Sequence, residues 1–346
     1  MQHDDRGLRP GTSISENSAS ASSENEWINE ITGSSETSAT FSSGARAAAL
    51  QLGQASVVRK ANDLVRLALF SEYRRSSVRR DAIMKRAVGK EAGRAFPIIF
   101  ATAQNTLRST FGFELVEMRP KGAENPLLKE QAVELDKRSS NKRQRVNEIL
   151  DSRKSSSTSA QAYFLRSILP ASVRQVLSSS SQDNSSSLVD WSTNTGELGS
   201  MGLLYIILSL ILLSGRRASE AHLRSCLAQL SLSMDRPLPA SLQTKSHYTQ
   251  EASLEIRRGP QEATLDTFFA QLQRQGYLEK IRVPSDASSP TYEWRWGARA
   301  ELEVGEKSIA NFVMDLYSDG AKSESESIKN ELLKRVERAV GTPLVE

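Results

Sequence analysis

The sequence predicts a mainly α protein with small β-hairpin wings, built from tandem winged-helix domains. The main observation is a recurring order of elements. Three helical stretches followed by an alternating strand occupy residues 57–118, and helices followed by a hairpin recur after residue 198. In addition, Ser-rich segments of low apolar content flank and separate these regions, which is typical of tails and linkers.

The first predicted domain covers residues 56–177. Its first helix is VVRKANDLVRLALFSEY, its second begins after Ser77, and its third is FPIIFATAQNTLRSTFG. The third helix tolerates Pro97 in its first turn and ends at Gly112. FELVEM alternates as a strand and is predicted to pair with YFLRSIL, so that residues 119–162 between them form an enlarged basic wing.

The second predicted domain covers residues 198–318. GLLYIILSLILL is its first helix. At about a dozen residues it is too short for a membrane span of roughly 20, and it is apolar on nearly every side, so we predict a central buried helix. SEAHLRSCLAQL follows with Ser219 as its N-cap, and TLDTFFAQLQRQG ends at Gly276. YLEKIRV and TYEWRWG form a hairpin, and KSIANFVMDLY closes the domain as an amphipathic helix.

The remaining segments are predicted as tails and a linker. Residues 1–55 are a disordered Ser-rich tail, in which Trp27 and Ile28 are either a short docking motif or incidental apolar residues. Residues 178–197 are a Ser-rich linker. Residues 319–346 are a tail whose segment ESIKNELLKRVERAV has a helical pattern but a narrow apolar stripe.

Composition argues against several functional classes. A single cysteine, Cys226, excludes an intrachain disulfide and a multi-cysteine zinc site, and three histidines argue against a metal centre. The N-terminus MQHDDRGLRP has no apolar signal region, so we expect an intracellular protein. There is no nucleophile elbow and no phosphate-cradling glycine loop, which predicts a protein that is not an enzyme and needs no cofactor. His222 and Cys226, four apart on a helix, are predicted as a packed core pair rather than metal ligands.

The positive charge is concentrated in one part of the chain. Residues 57–118 carry 12 basic and 6 acidic side chains, and residues 119–162 carry 10 and 6. Residues 1–56 carry 3 and 7, and residues 163–346 carry 20 and 22. Such a basic block indicates a polyanion binder, with a solvated basic surface as the alternative.

A winged helix binds duplex DNA with its third helix in the major groove and its wing near the backbone. Arg79 and Arg86 are seven apart and are predicted to share a face of the second helix. The third helix offers only Gln104, Asn105 and Arg108 to bases, so we expect phosphate contacts with little sequence preference. The DNA-binding candidates are Arg74, Arg75, Arg79, Arg80, Lys85, Arg86, Lys90, Arg108, Lys142, Arg143 and Arg145.

Two further motifs have alternative interpretations. KRSSNKRQR, which contains the last three DNA-binding candidates, is a DNA contact, a nuclear localisation signal or a solvated linker. Trp294 and Trp296 share one face of a strand and either stack on bases or pack in the core, and core packing against Ile309, Phe312 and Val313 is the preferred interpretation.

Several segments together resemble the MAGE homology domain family. They are DLVRLALFSEYR, FPIIFATAQNTLRSTFG, GLLYIILSLILLSGRRASEAHL, QGYLEKIRV and YEWRWGARAELE, and the resemblance spans roughly residues 57–318 with breaks at 119–162 and 178–197. It implies tandem winged helices in a non-enzymatic adaptor. The basic first domain best fits the family member that is a non-SMC subunit of the SMC-five/six complex, a nuclear complex of DNA repair and recombination. Alternatives are a cofactor of a RING ubiquitin ligase without a chromosomal role and a winged-helix transcription regulator.

The resemblance also implies partners: duplex DNA, SMC proteins, a RING-type subunit and a kleisin subunit, with no membrane. The RING-type subunit would contact Leu67, Leu69 and Phe70, although this chain has LALF where many relatives have a run of leucines. The kleisin would contact the second domain, where the candidates Leu265, Phe268, Phe269 and Leu272 lie on one side of a helix. Packing in the core is the alternative for all seven residues.

Overall fold

The computed structural model describes residues 27–32, 41–123, 125, 128, 162–178, 197–233, 236–239, 242, 263–283, 291–317 and 326–345. The described residues are mostly helical and include two small three-stranded sheets. The chain divides into two compact units. The first unit contains Met1–Leu69 and Asp81–Leu115, and the second contains Phe70–Arg80 and Val116–Glu346.

The elements up to the first sheet follow in chain order. The helices are α1 (residues 27–32), α2 (Ser43–Leu52), α3 (Gln54–Tyr73), α4 (Arg80–Ile83) and α5 (Phe96–Thr106). Wide π-helical turns, Met84–Val88 and Leu107–Phe111, extend α4 and α5, and a 3-10 turn, Gly93–Ala95, precedes α5. The strands are β1 (Val78–Arg79), β2 (Phe113–Met118) and β3 (Ala162–Ser167), and their order in the sheet is β1-β3-β2.

The later elements repeat much of this order. They are α6 (Ala171–Ser178), α7 (Glu197–Leu213), β4 (Arg217–Ser219), α8 (Glu220–Gln229), α9 (Leu265–Gln275), β5 (Leu278–Val283), β6 (Thr291–Trp296), α10 (Glu306–Tyr317) and α11 (Glu326–Val340). A π-helical turn, Ala300–Val304, precedes α10. The second sheet has the order β4-β6-β5 and is antiparallel.

The first unit is built around α3 and α5. α3 buries one apolar face, formed by Val57, Ala61, Leu64, Val65 and Ala68. Ile98 and Ile99 of α5 are buried as well. Pro97 lies in the first turn of α5, and Gly112 has the left-handed φ of 66° that lets the chain turn into β2. The predictions for this helix and its two ends are confirmed.

The structure differs from the prediction of a disordered tail at α1 and α2. Ala45 N–H donates to Ser42 Oγ at 3.3 Å to begin α2, whose residues Ala45 and Ala49 are buried. Ile28 of α1 is also buried. Composition averaged over residues 1–55 hides these two segments, because alanine has the highest helix propensity and its small side chain packs closely.

The second unit packs around α7. Six of its large side chains are buried among residues of α8, α9, the hairpin and α10: Leu203, Leu204, Ile207, Leu208, Ile211 and Leu212. The other large apolar side chains are half-buried or exposed, so the central position is as predicted, but burial covers about half of the helix circumference and not nearly every side. The hairpin pairs β5 with β6 in antiparallel register, from Leu278 opposite Trp296 to Val283 opposite Thr291. Among the described residues no helix is long and apolar enough to cross a membrane.

The C-terminal helix α11 also belongs to this core. Val336 and Val340, one turn apart, are buried against it and Leu333 packs beside them. Beyond the helix, Val345 N–H donates to Glu306 Oε2 at 2.9 Å, and Arg216 Nε donates to Glu306 Oε1 at 2.6 Å. The narrow apolar stripe is therefore sufficient to dock this helix.

The central position of α7 predicts the effect of a charge in its middle. Ile207→Asp should lower the free energy of unfolding by more than about 4 kcal/mol, because an unpaired carboxylate would replace a fully buried side chain. Thermal unfolding followed by circular dichroism measures this loss. Leu198→Asp is the matched control, since Leu198 is exposed in the first turn of the same helix. Equal melting temperatures of the two variants would show that α7 is not the centre of the core.

Candidate nucleic-acid interface

Four exposed arginines lie in one short turn of the second unit. Arg75 lies two residues beyond the end of α3 with a φ of 48°, and its N–H donates to Glu72 O at 2.7 Å. Three residues later β1 begins, where Arg79 pairs with Ala162 of β3. We call residues 74–80 the arginine turn. Its exposed arginines are Arg74, Arg75, Arg79 and Arg80.

The end of α3 is anchored by a buried arginine that follows β6. Arg299 is only 1% exposed, and its guanidinium forms an ion pair with Glu72 of α3 and another with Glu303 at 2.7 Å. The rings of Phe164 and Tyr277 lie 5.4 and 5.3 Å from the guanidinium carbon. Two carboxylates and two aromatic rings therefore compensate for the burial of this charge.

Two glycines allow the backbone to place Arg299. Gly276 has a φ of 88°, and its carbonyl accepts from Arg299 N–H at 3.0 Å. A Cβ on Gly297 would lie 2.1 Å from that same carbonyl oxygen. Only glycine fits at position 297, because the carbonyl is backbone and a side chain there would displace it.

Burial sets the ionisation of the groups around Arg299. Desolvation raises the pKa of Glu72, although the adjacent guanidinium acts in the opposite direction. Burial also raises the pKa of Tyr277 to about 12, and the charge of Glu303 acts in the same direction. Within the described residues, Glu72 Oε2 and Arg299 Nη1 are buried and make no hydrogen bond.

A second buried network lies at the same end of the hairpin, where β5 begins and β6 ends. Arg119 donates to Glu279 Oε1 at 3.0 Å, to Glu301 Oε1 at 2.8 Å and to the carbonyl of Trp296 at 2.9 Å. Arg295 donates to the same Glu279 carboxylate at 2.7 Å. Burial alone would lower the pKa of Arg119, but hydrogen bonds and charges of Glu301 and Glu279 outweigh burial, and the pKa is raised.

The basic candidates of the first unit are exposed, but one sequence argument about them is wrong. Lys85, Arg86 and Lys90 all reach solvent. The prediction that Arg79 and Arg86 share a helical face fails, because Arg79 lies on β1. The helix begins only at Arg80 and widens into a π-helical turn at residue 84, so the seven-residue spacing does not apply.

The three side chains predicted to reach bases are engaged within the first unit. Gln104 accepts from Leu115 N–H at 2.9 Å and donates to Leu115 O at 3.2 Å. Asn105 donates to Ile31 O of α1 at 3.2 Å, and Arg108 forms an ion pair with Glu114 at 3.1 Å. Their hydrogen-bonding groups are thus committed to holding α1 and β2, which is consistent with little sequence preference.

The partner-binding candidates fall into two groups. Leu67 and Leu69 are half-buried and Phe70 is exposed, so this part of α3 offers apolar surface. The second group was predicted to contact the kleisin, and this prediction is corrected. Its four residues are buried in the core of the second unit: Leu265, Phe268, Phe269 and Leu272. The amphipathic face of α9 closes onto the hairpin, where the ring of Phe269 lies 4.9 Å from that of Trp294.

Two other sequence predictions have clear outcomes. Trp294 and Trp296 are buried, which confirms core packing, and Trp296 Nε1–H donates to Leu208 O at 3.0 Å. Cys226 Sγ lies 3.6 Å from His222 Nε2, but His222 is exposed. The prediction of a packed core pair is therefore wrong. No metal-holding group of three His, Cys, Asp or Glu occurs among the described residues.

The wing candidates stay predictions. Lys142, Arg143 and Arg145, and KRSSNKRQR as a whole, lie outside the described residues.

The raised pKa of Tyr277 predicts a loss of stability at high pH. Between pH 10 and about pH 12 the unfolded chain loses the phenol proton while the folded protein retains it. The protonated phenol of Tyr277 therefore contributes about 2–3 kcal/mol to the free energy of unfolding. This contribution is complete below pH 10 and is lost as the pH rises through about 12. Urea midpoints measured from about pH 9 to 11.5 should fall less steeply for Tyr277→Phe than for the wild type.

Tyr317→Phe is the control for this titration, because Tyr317 is exposed on α10. It should keep the steep fall of the wild type. If Tyr277→Phe shows the same steep fall of the urea midpoint, the Tyr277 phenol does not cause the loss of stability at high pH.

Known proteins match this chain over a span that includes parts of both units. The family model of the MAGE homology domain matches residues 64–307. Human melanoma-associated antigen B17 is 31% identical over 138 residues, which is 40% of this chain and 35% of that protein. The human non-structural maintenance of chromosomes element 3 homolog is 23% identical over 263 residues, which is 76% of this chain.

The matched part of this chain spans only 35% and 62% of the lengths of these two relatives. A solved structure titled "Nse1-Nse3-Nse4 complex" contains a chain with a similar fold. The TM-score is 0.50 at 20% sequence identity, and the match covers 82% of this chain and 99% of that one. With a family model matching more than half of its residues, this chain belongs to the MAGE homology domain family.

Proposed function

We propose that this protein is a non-catalytic, DNA-binding scaffold subunit of the SMC-five/six complex. It would bridge a RING-type and a kleisin subunit in the nucleus, in DNA repair and chromosome maintenance. The observation that carries the proposal is the match to the human element 3 homolog over 76% of this chain. The similar fold of a chain from the Nse1-Nse3-Nse4 complex supports the same assignment.

The repeated element order supports the tandem winged-helix architecture. In each half a helix, a strand of two or three residues and two more helices precede a pair of strands. In both sheets the last strand of the three lies in the middle. A DNA-binding winged helix combines this element order with a basic docking face. The proposal therefore also requires exposed basic residues.

In each unit, exposed basic residues supply the proposed phosphate contacts. The arginine turn provides four guanidinium groups in the second unit, and Lys85, Arg86 and Lys90 provide three ammonium or guanidinium groups in the first. Guanidinium groups bind phosphate oxygens in a bidentate manner, and each contact releases condensed counterions. The binding we propose is therefore sensitive to salt and tolerant of sequence.

The RING-type subunit would use the apolar surface of α3 around Leu67, Leu69 and Phe70. The half-buried and exposed side chains there support this part of the proposal. For the kleisin, the second unit remains the proposed partner, but the contact must use residues other than the four buried side chains of α9.

A second candidate function is a cofactor of a RING ubiquitin ligase without a chromosomal role. The higher identity to melanoma-associated antigen B17, 31% over a shorter segment, favours it. Affinity purification of the full chain from nuclear extract separates the two: recovery of SMC and kleisin proteins supports the first, and recovery of a RING protein alone supports the second.

Duplex DNA binding tests the proposal directly. Fluorescence anisotropy of a labelled duplex with the full-length protein should show affinity that falls steeply with salt. Arg75→Glu combined with Arg79→Glu should lower the affinity by roughly tenfold or more and reduce the logarithmic salt slope by about two. The side chains are exposed, so the folded helical signal should persist.

The matched control reverses two exposed charges elsewhere in the second unit, Arg282→Glu with Lys334→Glu. It changes the net charge equally and should keep most of the affinity. No salt-dependent binding by the wild type, or an equal loss in both double variants, would contradict the proposed DNA surface. Strong preference for one duplex sequence would instead indicate a transcription regulator.

A further inference from the structure

Two aromatic rings are exposed on the last turn of α3. Phe70 is 68% exposed and Tyr73 is 63% exposed, whereas Phe164, Tyr277 and Trp294 of the same unit are buried. Leaving a large apolar side chain in water forgoes the stabilisation that its burial would give. Neighbouring exposed rings are the kind of surface that marks a binding site.

The geometry of the helix fixes the direction of these rings. At 100° per residue, Phe70, Tyr73 and Arg74 lie within an arc of about 100° on one side of α3. Glu72 lies on the opposite side, where it pairs with the buried guanidinium of Arg299. Because that ion pair holds the inner face of the turn, the helix presents both rings to solvent.

The surrounding charge indicates the chemistry of the ligand. Residues 70–80 contain the four arginines of the arginine turn and one acidic residue, Glu72. An exposed aromatic pair beside four guanidinium groups suits a polyanion that also carries flat apolar rings.

We propose that residues 70–80 bind single-stranded nucleic acid. Phe70 and Tyr73 stack on unpaired bases, and the arginine turn binds the phosphates that join them. In a duplex the base faces are covered by their neighbours, so the two rings add nothing to duplex affinity. In a single strand each base offers a free face, and stacking on an aromatic side chain is tolerant of sequence.

This inference rests on the proposed function in one respect, the binding of nucleic acid by the arginine turn, and adds the form of the ligand. The competing occupant of Phe70 is the RING-type subunit proposed above, and the inference assigns Phe70 to nucleic acid in its place while Leu67 and Leu69 stay with that subunit. The charge favours the nucleic acid, because four arginines around two rings match a phosphate backbone with attached bases.

The test compares two probes on the full-length protein. One is a labelled oligothymidine of about 30 nucleotides, which forms no internal pairs, and the other is a duplex of the same length. Phe70→Ala with Tyr73→Ala should lower oligothymidine affinity by about tenfold or more and leave duplex affinity within about twofold of the wild type. Phe70→Trp with Tyr73→Trp should retain oligothymidine affinity.

A matched control removes an equally exposed apolar pair from the second unit. Leu316 and Tyr317 on α10 are 64% and 76% exposed, and Leu316→Ala with Tyr317→Ala should leave both affinities unchanged. Arg75→Glu with Arg79→Glu should lower the affinity for both probes. These patterns separate loss of stacking from loss of phosphate binding.

Each remaining outcome has a defined meaning. If the wild type binds duplex but the alanine pair leaves oligothymidine affinity unchanged, the stacking site is wrong while the proposed function stands. If the wild type binds oligothymidine but no duplex, the stacking site stands and the duplex surface fails. If the alanine pair loses only a RING-type partner in purification, the rings belong to a protein interface and the inference is overturned.

A measurement on the unsubstituted chain guards against misfolding of a variant. An oligothymidine carrying 5-iodouracil, irradiated in complex with the wild type, should cross-link to the peptide that contains Phe70 and Tyr73. Cross-links confined to other peptides would overturn the site, whatever the variants show.

Discussion

The burial of the Arg299 guanidinium is the constraint on which the arrangement of the second unit most depends. A buried charge that loses its partner costs about 3–5 kcal/mol, so the fold must bring carboxylates to it. Glu72 comes from α3 and Glu303 from the turn before α10, while Phe164 and Tyr277 cover the guanidinium faces. The end of α3 and the arginine turn are thereby held in one place.

The hairpin β5–β6 links the Arg299 network to the network of Arg119 and Arg295. Tyr277 precedes β5 and donates to Glu303 beside Arg299, and two residues later Glu279 accepts from both Arg119 and Arg295. The hairpin therefore contributes to both arginine networks. In the first network, the fully buried Arg299 guanidinium is paired with two partly exposed carboxylates, and the pair with Glu72 joins the end of α3 to the turn after β6.

Local sequence patterns predicted the elements that are long or well capped. α3, α5 and α9 follow from periodicity and end signals, and α7 follows from an apolar run too short for a membrane. β1 and β4 were not predicted, because strands of two or three residues are too short to alternate. The apolar stripe of α9 predicted a buried face but not whether a partner or the hairpin covers it.

The candidate site was only partly predictable, for a physical reason. The basic residues are visible in the sequence because charge is a local property. Their anchoring is not, because Arg299 and Glu72 are separated by 227 positions, and Arg119 and Glu301 by 182. Likewise, the docking of α1 through Asn105 and Ile31 depends on a contact across 74 positions that no spacing rule detects.

The central claim is that Arg299 holds the end of α3 and so presents residues 70–80. Hydrogen exchange of the Arg75 and Ser76 amides, which bond to the carbonyls of Glu72 and Ser71, measures it most directly. In Arg299→Met these amides should exchange roughly 100-fold faster, while those of α8 change little. Arg335→Met, which removes an exposed ion pair with Glu331, should leave them unchanged. Unchanged protection of both amides in Arg299→Met would contradict the account.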